Sequence, residues 1–145
     1  SSMAGVSAVL GLLLHTFFDG VAIGSGFAVS NELGVLLFLA ILLHKLPEGV
    51  TISSLLIAGG SSGRRAIGSA GLLGVATVVG VLATDHFSFL RERGLALSAG
   101  VTIYVAASNL VPEFQGKPGW KLPLVFFAGA GAFFGVKELL QLAGG

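Results

Sequence analysis

The sequence predicts an all-α fold, a polytopic bundle of transmembrane helices, on three observations. Of its 145 residues, 54% are hydrophobic and 10% are charged, whereas a soluble domain needs roughly 25% charged residues to cover its surface. The apolar residues gather into five runs, each near the length of about 20 residues that crosses about 30 Å of hydrocarbon as a helix. None of these runs alternates apolar and polar residues over about ten positions, as a transmembrane strand would. Mean hydropathy is +0.94, so residues 1–145 are expected to form a single transmembrane helical domain.

The first span is expected at Ala4–Val29. Its start, "SSMAGVSAVLGLLLH", has neither a basic n-region nor a well-placed small-residue cleavage site, so it reads as a retained span and not as a signal peptide. The second is expected at Leu33–Ala58 after the short break "SNE", and the third at Ala66–Leu82 after "GGSSGRR". "TDHFSFLRERG" then reads as a solvated loop leading to the fourth at Leu95–Val111, and "PEFQGKPGWKLP" leads to the fifth at Leu122–Leu140. The 23 glycines would weaken helices in water, but in lipid they let backbones approach closely. Arg64, Arg65, Lys117 and Lys121 flank one side of this arrangement. By the excess of Lys and Arg in cytoplasmic loops, that side is inside, with the N-terminus cytoplasmic and the C-terminus outside a cell (plasma or inner) membrane.

Composition also excludes function classes. A net charge of +1 with no basic stripe argues against a nucleic-acid partner. The absence of cysteine removes thiolate metal sites and cysteine nucleophiles. No His-Glu-x-x-His zinc-protease motif occurs, and Ser25 lies ten residues from His15, on a different turn and face. The chain is therefore not expected to be an enzyme and carries no expected cofactor. Asp85 and His86 remain as metal-entry candidates, and Glu113 as a pathway candidate. The Phe17–Phe18 and Phe133–Phe134 pairs read as lipid-facing or core packing, with no assigned function.

Two hexapeptides carry the chemistry: "HTFFDG" at 15–20 and "HKLPEG" at 44–49. Residues four apart share a helix face, so His15 stands over Asp19 and His44 over Glu48. In an antiparallel hairpin that turns near residues 30–32, residues at equal depth have a nearly constant sum. His15 with Glu48 and Asp19 with His44 both sum to 63, which sets each histidine opposite an acid. At about 1.5 Å per residue the four lie roughly 18 to 25 Å from the turn, around the bilayer midplane. Ionised groups there cost at least ~2.5 to 3.5 kcal/mol each unless they face the interior and one another. Two neutral imidazoles and two carboxylates balance a divalent cation, so His15, Asp19, His44 and Glu48 are the candidate ligands. Zn²⁺ suits them, with Fe²⁺, Mn²⁺ and Cd²⁺ also accepted by nitrogen and oxygen ligands. Pro47 removes the donor for the carbonyl of Leu43, a helix defect of the kind that transporters place at midplane sites.

These motifs resemble those of the ZIP (Zrt/Irt-like) family of divalent-metal transporters. "HTFFDGVAIGSGF" is similar to the fourth family helix, "HKLPEG" to the fifth and "LSAGVTIYVAASNLVPE" to the seventh. The resemblance covers family helices four to eight of an eight-helix fold and implies transport of Zn²⁺ or a related ion toward the cytosol. It also implies that the first three helices are missing, so that the chain is expected to be a fragment, a truncated gene product or half of a split transporter, with those helices or a homodimer mate as partner. Many members bind two metal ions. The positions matching the second half-site are Thr16, Lys45 and Thr77 here, and Asn109 replaces an acid of the seventh helix. The expected site is therefore mononuclear, with the Lys45 ammonium in the second ion's place and paired to Glu48 or Asp19. Two other readings stand beside this one: a proton relay through the same residues with no metal, and a noncatalytic partial subunit that needs a partner for the missing helices.

Overall fold

The structure, a computed structural model, describes residues 2–107 and 118–144, with side chains from residue 10 onward and up to 143. The described residues form five α-helices and no strand: α1 (Ser2–Val29), α2 (Asn31–Ala58), α3 (Gly63–His86), α4 (Ser88–Val105) and α5 (Lys121–Gly144). Four of them are long and apolar enough to cross a membrane, over Leu10–Val29, Asn31–Ala58, Gly63–His86 and Lys121–Ala143. The chain is an integral membrane helical bundle.

The links are tighter than the sequence suggests. A single extended residue, Ser30, joins α1 to α2; its hydroxyl accepts from the Leu33 N–H at 3.1 Å and so caps α2. The C-terminus of α2 closes with Gly60 at φ +86°. The Gly60 N–H donates to the Ile57 carbonyl and the Ser61 N–H to the Leu56 carbonyl, both at 2.9 Å. This two-bond closure needs a left-handed residue, which glycine supplies without strain.

The expected loop "TDHFSFLRERG" is corrected: α3 runs on through Asp85 and His86, Phe87 alone is extended, and α4 already begins at Ser88. Arg91, Glu92 and Arg93 are thus helical. Capping explains the difference, since the Phe87 N–H donates to the Ala83 carbonyl and the Arg91 N–H to the Phe87 carbonyl, carrying the ladder across the corner. The described part of α4 opens on these charges and is not among the membrane-crossing helices. The remainder of the expected fourth span, 108–111, lies outside the described residues, as do Asn109 and Glu113.

At the centre is α1, packed on α3, α4 and α2, while α5 lies along α2 with its apolar surface exposed. Apolar burial between helices gains little in lipid, so close approach and hydroxyl bonds must hold the bundle. Both are present. A Cβ on Gly20 would run into the Thr77 carbonyl, and one on Gly80 into the Phe17 carbonyl, so α1 and α3 cross backbone to backbone. The buried Ser25 hydroxyl donates to the Leu90 carbonyl at 2.9 Å and the Ser98 hydroxyl to the Phe18 carbonyl at 2.7 Å, which ties α4 to α1. Ser98→Ala is expected to cost about 0.6 kcal/mol, the mean for interhelical side-chain bonds in a membrane protein, read as a small shift in reversible detergent unfolding.

Candidate metal centre

Asp19 stands one residue before the Gly20 crossing, so the closest contact between α1 and α3 fixes its position. Its carboxylate is the meeting point of the polar residues. Oδ2 accepts from Lys45 Nζ at 2.7 Å and lies 3.2 Å from His44 Nε2, while Oδ1 lies 3.7 Å from His15 Nε2. The side chain of Asp19 is 5% exposed, that of His15 15% and that of His44 43%, so the group is buried on the α1 side and opens past His44.

One ligand atom from each of His15, Asp19 and His44 falls within 4.8 Å of the others. Four ligands at 2.0 to 2.2 Å around a tetrahedral ion are about 3.4 Å apart. The 3.2 Å from His44 Nε2 to Asp19 Oδ2 is close to that edge, and His15 Nε2 lies 3.7 Å from the other carboxylate oxygen, Oδ1. The rings of His15 and His44 lie with centroids 6.0 Å apart. His15 Nδ1 is buried with no hydrogen-bond partner among the described residues, an unmet polar atom at the edge of the cluster.

Glu48 takes a different place from the one the hairpin arithmetic expects. Opposite it stands Thr16, whose hydroxyl donates to Glu48 Oε1 at 2.9 Å, while Glu48 Oε2 accepts from Lys45 Nζ at 2.7 Å. His15 instead lies over Asp19 on its own helix. The constant sum fixes depth along the hairpin but not direction around the axis, and about 100° separates consecutive residues. Here Thr16 faces α2. Glu48 then lies within reach of the ammonium on its own helix, three residues away.

Lys45 therefore joins both carboxylates and also donates to Thr16 Oγ1 at 3.3 Å. Thr77 stays outside this network: its hydroxyl donates to the Leu73 carbonyl of its own helix, and it lines a 270 Å³ cavity between α2 and α3 beside Lys45 and Glu48. A larger cavity of 770 Å³ opens on the other flank, among α1, α2 and α4, against His15, Leu14, Thr51, Leu97 and Tyr104. Pro47 sits inside an uninterrupted α2, and its carbonyl accepts from the Thr51 hydroxyl at 2.8 Å.

Other candidates are not brought together. Asp85 and His86 are exposed; Asp85 lies 3.8 Å from Arg91, and the His86 ring bonds back to the Leu82 carbonyl. Ser25 serves as an interhelical tie. Sequence reasoning overlooked Ser98, which holds the carbonyl just before Asp19. A serine in an apolar helix, four residues from Gly94 at the packed face, was the available signal.

Comparison with known proteins agrees with this architecture. Residues 1–137 match the family model described as ZIP zinc transporter. The chain is 37% identical over 111 residues to zinc transporter SLC39A7 of Sus scrofa, covering 77% of this chain and 20% of that protein. It is 38% identical over 110 residues to zinc transporter GufA of Myxococcus xanthus, covering 72% and 43%. To zinc transporter foi of Drosophila melanogaster it is 32% identical over 110 residues, covering 74% and 16%. The chain thus spans less than half the length of each of these relatives. No solved structure matches it. With the family model covering nearly all of its length, the chain belongs to the ZIP zinc transporter family.

Proposed function

We propose that this chain carries a divalent metal ion, with zinc the preferred substrate, across a membrane toward the cytosol through one mononuclear site. The observation that carries the reading is the convergence of His15, Asp19 and His44, with ligand atoms within 4.8 Å of one another. His15 and His44 supply neutral nitrogens and Asp19 supplies oxygen, a set that suits Zn²⁺ and also accepts Fe²⁺, Mn²⁺ or Cd²⁺. Glu48 supplies the second carboxylate charge from beside the ion, through Lys45 and Thr16. In this reading Thr16, Lys45 and Thr77 take the place of a second metal's ligands, since an ammonium repels a cation and the two hydroxyls bring it no negative charge.

The cavity against His15 reaches toward the first turns of α1 and the last turns of α2. On the orientation given by Arg64 and Arg65, with the N-terminus cytoplasmic and the C-terminus outside, that direction is inward. Alternating access moves one helix group against another, so the transporting unit includes further helices, from a longer chain or partner, or a homodimer mate. The zinc-transporter relatives and the ligand spacing favour metal over a bare proton relay.

Calorimetric titration of the purified chain with Zn²⁺ tests the reading. Binding near one ion per chain is expected. Affinity should fall as pH falls, because a protonated imidazole cannot ligate, and His15→Ala should weaken it by at least about tenfold. Absence of saturable binding by the unmutated chain would end the proposal.

A further inference from the structure

Resting on the metal reading above, we propose that Lys45 is a resident cation that competes with the incoming ion for Asp19. As the ion binds, Lys45 is left to Glu48 and Thr16 alone.

The geometry of Asp19 Oδ2 sets up a contest. The same oxygen accepts the Lys45 ammonium at 2.7 Å and lies 3.2 Å from His44 Nε2. An ion held between His44 Nε2 and this oxygen, at about 2.1 Å from each, takes the atom that already accepts the Lys45 ammonium. It then sits close to the Lys45 charge, in a part of the protein where Asp19 is 5% exposed and Glu48 9%. Like charges at such a separation, shielded from water, repel strongly.

Lys45 has somewhere to go without leaving the site. Glu48 Oε2 already holds it at 2.7 Å and Thr16 Oγ1 at 3.3 Å. Thr16, fully buried, fixes that resting place by donating to the other Glu48 oxygen at 2.9 Å. The 270 Å³ cavity beside Lys45, Glu48 and Thr77 leaves room for the long side chain to swing away from α1. The displacement is therefore short: one of three bonds breaks and two persist.

Two consequences follow for a transported ion. The carboxylate is neutralised before the ion arrives, so the buried charge of Asp19 does not stand alone between turnovers. The resident ammonium also lowers the affinity of the site, and a passing ion must bind weakly enough to leave. Glu48 acts here as a positioning residue for Lys45 and not as a ligand.

A double-mutant cycle in lipid nanodiscs, read by Zn²⁺ titration, separates this from a simple charge effect. Lys45→Met is expected to tighten binding by at least about tenfold. Glu48→Gln, which leaves Lys45 only Asp19 as a charged partner, is expected to weaken binding by about tenfold in the Lys45 chain but by less than about threefold in the Lys45→Met background. Equal weakening by Glu48→Gln in both backgrounds overturns the proposal, since Glu48 then acts on the ion without Lys45. Unchanged affinity in Lys45→Met overturns it as well while leaving the metal reading intact. Binding by none of the four chains overturns both.

A readout without substitutions covers variants that fail to fold. In the unmutated chain labelled with ¹⁵N-lysine, the Lys45 ammonium resonance is expected to move and to saturate near one Zn²⁺ per chain. A resonance unmoved at saturation overturns the displacement.

Discussion

Asp19→Asn is expected to reduce Zn²⁺ affinity by at least about a hundredfold, the largest effect of any single substitution at the centre. Three losses coincide. The amide oxygen is a weaker ligand than a carboxylate, and Asp19 is the residue that approaches both imidazoles, His15 at 3.7 Å and His44 at 3.2 Å. The polar group also loses its excess negative charge. With the histidines neutral, Asp19 and Glu48 outweigh Lys45 by one unit; after the change only Glu48 balances Lys45. An incoming dication then meets no net attraction in a buried site. Isothermal titration of the two proteins in the same detergent measures this directly. Binding within about threefold of the unmutated chain would remove Asp19 from the ligand set.

Gly80→Ala is expected to destabilise the bundle by about 1 to 3 kcal/mol, although alanine is the better helix former by about 1 kcal/mol. The added Cβ has no room, because it would meet the Phe17 carbonyl and lie 3.0 Å from the Val21 amide nitrogen. Both are backbone atoms of α1 and cannot rotate aside. The helices must separate, and Asp19, between Phe17 and Val21, moves with α1. Zn²⁺ affinity should therefore fall together with stability. Gly68→Ala is the internal comparison: nothing lies within 4 Å of a Cβ at Gly68, on the same helix, so that change is expected to be neutral or slightly stabilising. Reversible unfolding in mixed detergent micelles distinguishes the two. Equal stability of Gly80→Ala and the parent chain would mean that the crossing is looser than these contacts require.

The crossing also shows where sequence reading stopped. That glycines serve close helix packing is legible from 23 of them in an apolar chain. Which glycine meets which carbonyl is not, because it depends on the crossing angle and register of two separate helices. Gly20 and Gly80 are in backbone contact, whereas Gly68, Gly71 and Gly74 of the same α3 face open space. The same limit applies to the corner at Phe87. Charged residues there read as loop by composition, yet backbone hydrogen bonds carry helix through both sides of one extended residue.

The helical membrane-embedded class and the level along the hairpin at which the two hexapeptides meet follow from residue order alone. Hydropathy is a property of each segment against lipid, and rise per residue along a tight hairpin is fixed by the helix itself. Asp19 and His44 do lie side by side, as their numbers require. Direction and allegiance come from the packed bundle: Thr16 facing Glu48, His15 beside Asp19, and Lys45 bonded to both carboxylates. Those outcomes depend on how each helix is turned about its axis and on which of several oxygens a flexible ammonium reaches. Both are settled by packing against α3 and α4, which no pattern within α1 and α2 encodes.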